Sequence, residues 1–453
     1  MPSISSYNGI QLANIASVNG QTVQQSSGGS YNPVTGSGTY TETVPTSGLL
    51  VFGGNSYLST SPTSSDTTPG PAYGQGVVMN LSSDVHGQLN TATQTVPSGV
   101  TFTKLSHGRN AAFGITSSGT MYDIGSSSYM ENNSTSTWTQ ITGIGDSDTG
   151  WTDVSSSYDG VCAINSGKLY HAGANSYGQG GTSGHSFGTF ALSNSPQVAW
   201  TEVIRGRNAS IFKNADGQVY TSGRNYKYQT GLGTSSGNTT TPTIIKSGSG
   251  TNLVTTTQGV GVASSISCGY YRMGIVAGGK YYYWGDGDSN EPFGVNGSSD
   301  IQYATQGGAI TSGGSPVTAW SKITQGNQFS YLIDTQGKLW FAGEAGTGMR
   351  GDNSTTDVKG GFWVKVSDDT DWTKVVTPGT NQNNTVYNTV AEKGGKLYVV
   401  GQQRYGNIIA ATSGTAIKVW TEVNGTASLA TAGAWDGGNT KGIGTRSTVI
   451  AQY

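Results

Sequence analysis

The stretch SGKLYHAGANSYGQGG, residues 166–181, contains the pattern on which the fold of this chain depends. Gly167 is followed by alternating apolar and polar residues, which is the pattern of a β-strand with one buried face. A second glycine, Gly173, ends that segment, and a loop rich in Asn, Tyr, Gln and Gly follows it. The stretch is therefore either a single β-hairpin or one copy of a repeat.

The core of the stretch, Gly-x-apolar-aromatic-x-x-Gly, recurs along the chain. The copies are GLLVFGG (48–54, a looser match), GTMYDIG (119–125), GKLYHAG (167–173), GQVYTSG (217–223), GKYYYWG (279–285), GKLWFAG (337–343) and GKLYVVG (395–401). Successive copies begin 71, 48, 50, 62, 58 and 58 residues apart. Repeats of this length, made of short strands without helical periodicity, are typical of β-propeller blades. Seven copies predict seven blades.

A second element, Trp-Thr-x-Val, precedes most of these copies, and a third apolar segment lies between the two. Matches to the second element are FTKL (102–105, the weakest), WTDV (151–154), WTEV (200–203), WSKI (320–323), WTKV (372–375) and WTEV (420–423). Each unit therefore contains three or four short strands separated by glycine turns. We expect the tryptophans that begin these elements to pack between neighbouring blades; they are Trp151, Trp200, Trp320, Trp372 and Trp420.

The two ends of the repeat region predict how the ring closes. The first copy (48–54) is a lone late-blade strand, whereas the chain ends with an early-blade WTEV strand and then STVIAQY (447–453). One blade would combine strands from both ends, which protects exposed strand edges. We therefore expect an all-β protein in which residues 48–453 form a seven-bladed β-propeller with four-stranded blades. The N- and C-terminal strands would pair, and residues 1–47 would form an extended docking arm and flexible linker.

The hairpin GKLYxxG followed by ANSYGQGG (174–181) resembles the repeats of the regulator of chromosome condensation family, which are seven-bladed propellers. An interrupted version occurs as GGNSY (53–57) and AYGQG (72–76). The resemblance extends over about residues 48–453 and implies the same architecture, including closure by strands from both ends. Members act in guanine-nucleotide exchange, chromatin binding, ligase recruitment and adhesion, so the fold does not determine the function. Chromatin-binding members use basic tails, whereas Glu42 is the only charged residue in 1–47.

The composition limits the classes of partner. Charged residues make up 11% of the chain, against about a quarter in average proteins, and the net charge is −2. Lys and Arg are not clustered as phosphate binding requires, so we expect no nucleic-acid partner. We expect no membrane span and no secretory signal peptide. A neutral surface rich in Ser, Thr, Asn and Gln suits glycans or tight protein assembly. Cys162 and Cys268 are expected to be small buried side chains.

Residues 1–23 are unrelated to the repeat and precede a Gly/Ser/Thr/Pro-rich linker (24–48). They resemble the start of virion structural proteins from tailed phages of cyanobacteria, which often begin with SxxNGxxLANIxxxNG segments. The matching residues are Ser6, Asn8, Gly9, Leu12, Ala13, Asn14, Ile15, Asn19 and Gly20. The resemblance implies that the segment docks a displayed domain onto a particle, through Asn8, Ile10, Leu12, Asn14, Ile15 and Val18. A disordered tail or an extra propeller strand is the alternative.

Catalytic or metal-binding patterns are weak in this sequence. The four histidines lack metal spacing, and there is no G-x-S-x-G nucleophile elbow. GTGMRG (346–351) matches G-x-G-x-x-G, but no helical pattern follows it. DGDSN (286–290) resembles the start of a calcium loop without the required glycine and glutamate. We expect no enzymatic activity, no cofactor and no metal.

Loop aromatics beside amides and hydroxyls are candidates for binding sugars or proteins. The segment RNYKYQ (224–229) is the best candidate, and the predicted contacts are Tyr226, Tyr228, Phe187 and Phe293. We expect a non-enzymatic virion protein that displays a propeller as a tail or neck appendage or as capsid decoration. Its partners would be other virion proteins, bound through residues 1–23, with a host glycan or receptor as a further candidate. The alternatives are an adhesion or carbohydrate-binding propeller, and an intracellular scaffold or exchange factor.

Overall fold

The computed structural model describes most of residues 97–422, and side chains are described only within that range. Outside it, only short strands are described, at 6–7, 10–11, 17–18, 21–22, 49–53, 77–79 and 448–452. Within it, the residues left out are 98–99, 101, 108–110, 126–134, 158–159, 194–195, 197, 248–261, 288–291, 296, 298, 309–316, 318, 327, 347, 378–387 and 403–415. The chain divides into two compact units, residues 1–47 and 48–453.

The first unit contains two pairs of short antiparallel strands. They are β1 (Ser6–Tyr7) paired with β2 (Ile10–Gln11), and β3 (Ser17–Val18) paired with β4 (Gln21–Thr22). Each pair brackets one of the two Asn-Gly dipeptides of the sequence, which is the strongest short signal for a tight hairpin.

The second unit begins with β5 (Leu49–Gly53) and β6 (Val77–Met79) and continues into six four-stranded antiparallel sheets. Blade 1 comprises β7 (Phe102–His107), β8 (Ala111–Thr116), β9 (Met121–Gly125) and β10 (Thr135–Gln140). Blade 2 comprises β11 (Trp151–Ser156), β12 (Gly160–Asn165), β13 (Lys168–Gly173) and β14 (Ser186–Leu192). Blade 3 comprises β15 (Trp200–Arg205), β16 (Ala209–Asn214), β17 (Val219–Arg224) and β18 (Asn238–Ile244).

The second half of the propeller has the same order of strands. Blade 4 comprises β19 (Ala263–Cys268), β20 (Arg272–Ala277), β21 (Lys280–Gly285) and β22 (Ile301–Gln306). Blade 5 comprises β23 (Trp320–Gln325), β24 (Phe329–Asp334), β25 (Leu339–Gly343) and β26 (Val364–Lys365). Blade 6 comprises β27 (Trp372–Val376), β28 (Asn388–Lys393), β29 (Lys396–Gln402) and β30 (Ala416–Glu422). No described segment is a helix long and apolar enough to cross a membrane.

The number of blades differs from the prediction. Within the described residues there are six four-stranded blades, not seven. The strand within the first Gly-x-apolar copy, β5, belongs to a three-stranded sheet in which β31 (Thr448–Gln452) pairs with β5, and β5 pairs with β6. The glycine motif specifies one strand, so counting its copies overestimated the number of complete blades. The predicted pairing of strands from the two ends is confirmed, with Ile450 opposite Val51.

In the six four-stranded blades, the glycine that begins the repeat lies in a tight turn between the second and third strands. Gly167 has a φ of 77°, in the left-handed region that favours glycine. Its carbonyl accepts a hydrogen bond from the Trp200 N–H of the next blade, at 2.9 Å. The carbonyls of Gly119, Gly279 and Gly337 accept from the tryptophan that begins the next blade in the same way. The two motifs of the sequence are therefore the two halves of one contact between blades.

The tryptophans that begin blades 2, 3, 5 and 6 are buried between neighbouring blades, as predicted. Trp151, for example, packs with Phe113 of blade 1 and Tyr170 of blade 2. Trp420 is an exception. It lies in β30, the last strand of blade 6, and not in the first strand of a closing blade. The expectation that the copy of WTEV at 420–423 begins the closing blade is wrong; the C-terminal strand that pairs with the N-terminal one is β31.

The first strands of consecutive blades lie beside one another and are joined by side-chain hydrogen bonds. The buried carboxylate of Asp153 in blade 2 accepts from Lys104 Nζ of blade 1 (2.7 Å) and from the Val203 N–H of blade 3 (2.8 Å). Likewise, the Arg205 N–H donates to Ser155 Oγ at 3.0 Å. These contacts satisfy inner-strand polar groups that would be costly to bury unpaired. They fix the spacing of the blades and of the loops at their ends.

Candidate functional site

The loops that follow the third strands of blades 2 and 3 have related sequences. They are ANSYGQGG (174–181, the blade-2 loop) and RNYKYQTG (224–231, the blade-3 loop). Each begins directly after the glycine that ends the pairing of the third strand with the second, and both have Asn, Gln and Gly at equivalent positions. Loops held on a rigid scaffold are where binding residues concentrate.

Asn175 holds the blade-2 loop together. It is buried, and its Nδ2 donates to the carbonyls of Thr182 (2.7 Å) and Gly184 (2.8 Å). Its Oδ1 accepts from the Gly180 N–H at 2.6 Å. Both Nδ2 hydrogens and the Oδ1 of Asn175 therefore form hydrogen bonds within the loop.

Asn225 does the same in the blade-3 loop. Its Nδ2 donates to the Thr234 carbonyl and hydroxyl, and its Oδ1 accepts from the Thr230 N–H at 3.2 Å. The glutamine of the motif adds a second bond, since Gln229 Oε1 accepts from the Lys227 N–H at 2.6 Å. The Asn and Gln of the repeated loop therefore have an architectural role in both blades.

The strand residue beneath each loop is matched to the loop residue above it. In blade 2 the strand residue is His171, and a Cβ at Gly180 would approach its ring at 2.7 Å, so only glycine fits. In blade 3 the equivalent strand residue is the smaller Thr221, which donates from Oγ1 to the Thr230 carbonyl at 2.6 Å. The large strand residue His171 therefore packs against a loop glycine, Gly180, whereas the smaller Thr221 leaves room for a threonine, Thr230.

The fifth position of the loop has a left-handed backbone in both blades. Gly178 has a φ of 80° and Tyr228 has a φ of 56°. Glycine adopts this conformation without strain, whereas in a residue with a Cβ the side chain clashes with the backbone and raises the conformational energy. Backbone strain of this kind is concentrated at functional sites, where other interactions maintain it.

A group of aromatic and basic side chains lies at this end of blades 2 and 3; we call Tyr177, Arg224, Tyr226 and Lys227 the Arg224 cluster. The guanidinium carbon of Arg224 is 5.0 Å from the ring centroid of Tyr177 and 5.0 Å from that of Tyr226. Both distances are within the range of cation–π attraction. The Arg224 N–H donates to the Asn208 carbonyl at 2.7 Å, which holds the backbone at this point.

The charge of Lys227 is neutralised by blade 4. Its Nζ lies 3.5 Å from Asp286 Oδ1 and 3.3 Å from Asp300 Oδ2. Burial lowers the pKa of Lys227, but the two carboxylates outweigh it and raise the pKa above its ordinary value. Burial raises the pKa of Asp286, and the charges of Arg272 and Lys227 offset part of this. The lysine is therefore held in an ion-pair network.

A second polar group is buried beneath the blade-2 loop. The guanidinium of Arg205 is fully buried; it donates to Cys162 Sγ at 3.4 Å and to the Ala174 carbonyl. Burial, and then the charge of Arg205, lower the pKa of His171 to about 4. Burial raises the pKa of the Cys162 thiol. A neutral imidazole and a protonated thiol without solvent access are poor catalytic groups.

The predicted ligand contacts have different environments. Tyr226 and Phe187 are 59% and 56% exposed, whereas Tyr228 is half-buried. Phe293 is 1% exposed; its ring lies 4.6 Å from that of Tyr283. The expectation that Phe293 is an exposed contact is wrong, because it occupies the loop position that packs onto the third strand, as Gly180 does.

The residues predicted to dock onto a particle lie outside the described side chains. Ile10 and Val18 fall in the short strands β2 and β3. Asn8, Leu12, Asn14 and Ile15 lie outside the described residues altogether. In the part of the chain that is described, no three His, Cys, Asp or Glu side chains are grouped as metal ligands would be.

The sequence patterns predict neither Arg224 nor Tyr177 as a contact. Arg224 lies within RNYKYQ, the best candidate segment, in which the predicted contacts are the two tyrosines. The contact between Tyr177 and Arg224 joins two blades, and the residues are far apart in the chain. Aligning the two loops would have exposed the signal, because Arg224 replaces Ala174 at the same position.

The architecture is similar to that of solved propeller structures. Human WBSCR16 superposes with a TM-score of 0.66 at 14% sequence identity, covering 89% of this chain and 98% of that one. The fold is an RCC1-like β-propeller. Prp20p from Saccharomyces cerevisiae gives a TM-score of 0.59 at 13% identity, covering 90% and 91% of the two chains. Yeast RCC1 (Prp20) bound to Kap60 gives 0.61 at 12% identity, covering 90% and 88%.

At these identities the likeness is evidence for the fold alone. No protein-family model matches the chain, and no curated protein matches its sequence. The function must therefore be argued from the residues of this chain.

Proposed function

We propose that this protein is a non-enzymatic structural component of a virion, in which residues 1–23 attach to the particle and the propeller is displayed. The observation that carries the proposal is the arm. Its sequence resembles the start of virion structural proteins, it forms a unit separate from residues 48–453, and it contains two strand pairs of matching register. A short attachment segment, a linker and a rigid domain form a tether.

The chemistry of the propeller supports a binding role over a catalytic one. Burial raises the pKa of Cys268 to about 12, and the pKa of His171 is lowered to about 4. Neither group has the near-neutral pKa that suits general acid–base or thiolate chemistry. Lys227 and Asp286 are paired with each other. The exposed Tyr226 and the cation–π group beside it are the kinds of residue that dominate protein interfaces.

The proposal is tested by deleting residues 1–23 and measuring how much protein remains on purified particles. We expect the particle-bound fraction to fall by at least about tenfold, as for the loss of a main attachment site. The matched control deletes residues 24–47 and keeps residues 1–23, and it should remain bound. Equal amounts of the truncated and full-length proteins on the particles would overturn the proposal.

A second candidate function is adhesion to a carbohydrate surface without any particle. It is favoured by the exposed rings of Tyr226 and Phe187, since aromatic faces stack on sugars. A glycan array probed with the full chain separates the two: specific glycan binding, together with absence from particles, would favour adhesion.

Guanine-nucleotide exchange or scaffolding is the weakest candidate. Prp20p is described with its binding to Gsp1p and histones, and yeast RCC1 (Prp20) is seen bound to Kap60. At 13% and 12% sequence identity, none of those partners can be assigned to residues of this chain. Failure to accelerate nucleotide release from small GTPases would remove this candidate.

A further inference from the structure

Within the described part of the chain, Arg224 differs from Lys227 and Arg272 in having no carboxylate partner. Lys227 is paired with Asp286 and Asp300, and Arg272 is paired with Asp286 through a 3.4 Å contact. Among the described residues, no Asp or Glu forms an ion pair with the Arg224 side chain. Arg224 is half-buried, and of the two positive charges in the Arg224 cluster it is the one that no described carboxylate compensates.

The flanking tyrosines orient the guanidinium. With ring centroids 5.0 Å from the guanidinium carbon, Tyr177 and Tyr226 restrict the Arg224 side chain, and no described residue accepts a hydrogen bond from its guanidinium. A guanidinium fork held in place loses less entropy when it binds a carboxylate through two parallel hydrogen bonds. Tyr226, which is 59% exposed, adds apolar area next to those donors.

The backbone of the blade-3 loop holds this group in position. Asn225 and Gln229 bind the loop from within, and Tyr228 has a φ of 56° where the blade-2 loop has a glycine. The loop therefore tolerates a strained residue in the segment that carries Arg224 and Tyr226. Strain maintained by its surroundings is consistent with a preorganised binding group.

We propose that the Arg224 cluster is a docking site for an Asp or Glu side chain of a protein partner, with Arg224 as its central contact. The proposal rests on the proposed function in that the propeller acts by binding. It adds the surface and the chemistry of the partner.

The charges around the site favour one carboxylate over a polyanion. Asp286 and Asp300 lie beside Lys227 and would repel a second negative group. Binding to nucleic acid or a phosphate-rich polymer requires several unpaired cations, and this cluster offers one. The Arg224 guanidinium lies over both tyrosine rings, so the partner meets guanidinium donors flanked by two aromatic rings. Tyr and Arg with this arrangement are typical of protein–protein hot spots.

The test uses the full-length chain to select binders from a displayed random peptide library. We expect the enriched peptides to contain Asp or Glu, and substitution of that acid by its amide to weaken binding by at least about tenfold. Arg224→Gln should weaken binding by a similar factor. Arg224→Lys should restore it only in part, because the charge remains while the planar fork is lost.

The matched control is Lys280→Gln, which removes one positive charge from the exposed first residue of β21, at the end of that strand opposite Asp286. It should leave peptide binding unchanged. The proposal is overturned if the enriched peptides lack acidic residues, if Lys280→Gln weakens binding as much as Arg224→Gln, or if only uronic-acid oligosaccharides bind. Unaltered thermal unfolding of the Arg224 variants excludes misfolding as the cause.

The outcome is independent of the particle assay. Presence on particles without selection of acidic peptides would overturn the docking site and leave the virion role intact. Arg224-dependent peptide binding by a protein that is absent from particles would overturn the virion role and leave the docking site intact.

Discussion

The blade-2 loop and the blade-3 loop share one scaffold and carry different surfaces. Asn175 and Asn225 make equivalent bonds inside the two loops. The outward residues differ, since Ala174 is replaced by Arg224 and Ser176 by Tyr226. The blade-2 loop contributes Tyr177 to the Arg224 cluster, whereas the blade-3 loop contributes its charge. The shared residues therefore build the fold, and the differing ones determine what it binds.

The largest expected effect comes from breaking the shared scaffold. Asn175→Ala and Asn225→Ala should each lower the free energy of unfolding by about 3 kcal/mol, because each leaves backbone groups of its loop unpaired, including the buried N–H of Gly180 or of Thr230. Denaturant unfolding of the two variants measures this, and similar losses are expected. A loss below about 1 kcal/mol for either one would show that the loops are not equivalent.

The control for these variants is Ser176→Ala in the blade-2 loop. Ser176 is exposed and lies between the scaffold residues. Its substitution should change the free energy of unfolding by no more than about 0.5 kcal/mol.

A second expected effect concerns the strand residue beneath the blade-2 loop. Because burial and Arg205 lower the pKa of His171 from 6.5 to about 4, the unfolded chain binds a proton between these values while the folded chain does not. Above pH 6.5 the buried neutral His171 therefore does not lower the free energy of unfolding. As the pH falls from 6.5 towards 4, it lowers the free energy of unfolding progressively. The full loss is about 3 kcal/mol.

The measurement is the pH dependence of unfolding for the protein and for His171→Asn. The variant should have a flatter profile between pH 6.5 and 4, whatever its absolute stability. Blade 3 has Thr221 at this position and should add no such dependence. Identical slopes for the two proteins would contradict the assigned neutral imidazole.

A smaller effect is expected at the left-handed position of the two loops. Gly178→Ala should cost about 1–2 kcal/mol, since its φ is positive and a Cβ would approach Thr240 Cα at 2.7 Å. Tyr228→Gly should change stability by less than about 1 kcal/mol, because relief of strain offsets lost contacts and a more flexible unfolded chain. Equal and large losses in both variants would mean that Tyr228 is not strained.

The repeat made the propeller predictable from local patterns. A left-handed turn at Gly167 and an apolar alternation after it are properties of a few neighbouring residues, and they recur in every blade. Because the patterns describe only a few neighbouring residues, they also led to two wrong predictions, the number of blades and the place of Trp420. A glycine motif marks one strand, so the copy at 48–54 was counted as a blade although its described sheet has three strands. Trp420 matched a first-strand motif but lies in a last strand.

The candidate site was only partly predictable for the opposite reason. Tyr226 was identified as exposed because it lies in a long polar loop. The prediction that Phe293 is an exposed contact was wrong. The strand residue beneath a loop determines which loop side chain packs inward, and in blade 4 that strand residue is Tyr283. The contact of Arg224 with Tyr177 depends on how two blades pack, and no local pattern encodes it.

The most direct test of the separation between scaffold and surface is an exchange of loops. Residues 224–228 are replaced by ANSYG, the sequence of residues 174–178. Unfolding and the affinity for a selected acidic peptide are then measured on the same protein. We predict a change in unfolding free energy within about 1 kcal/mol, with peptide affinity reduced by at least about tenfold. Retained peptide binding, or unfolding of the exchanged protein, would contradict the claim that the shared loop residues build the fold and the differing ones determine what it binds.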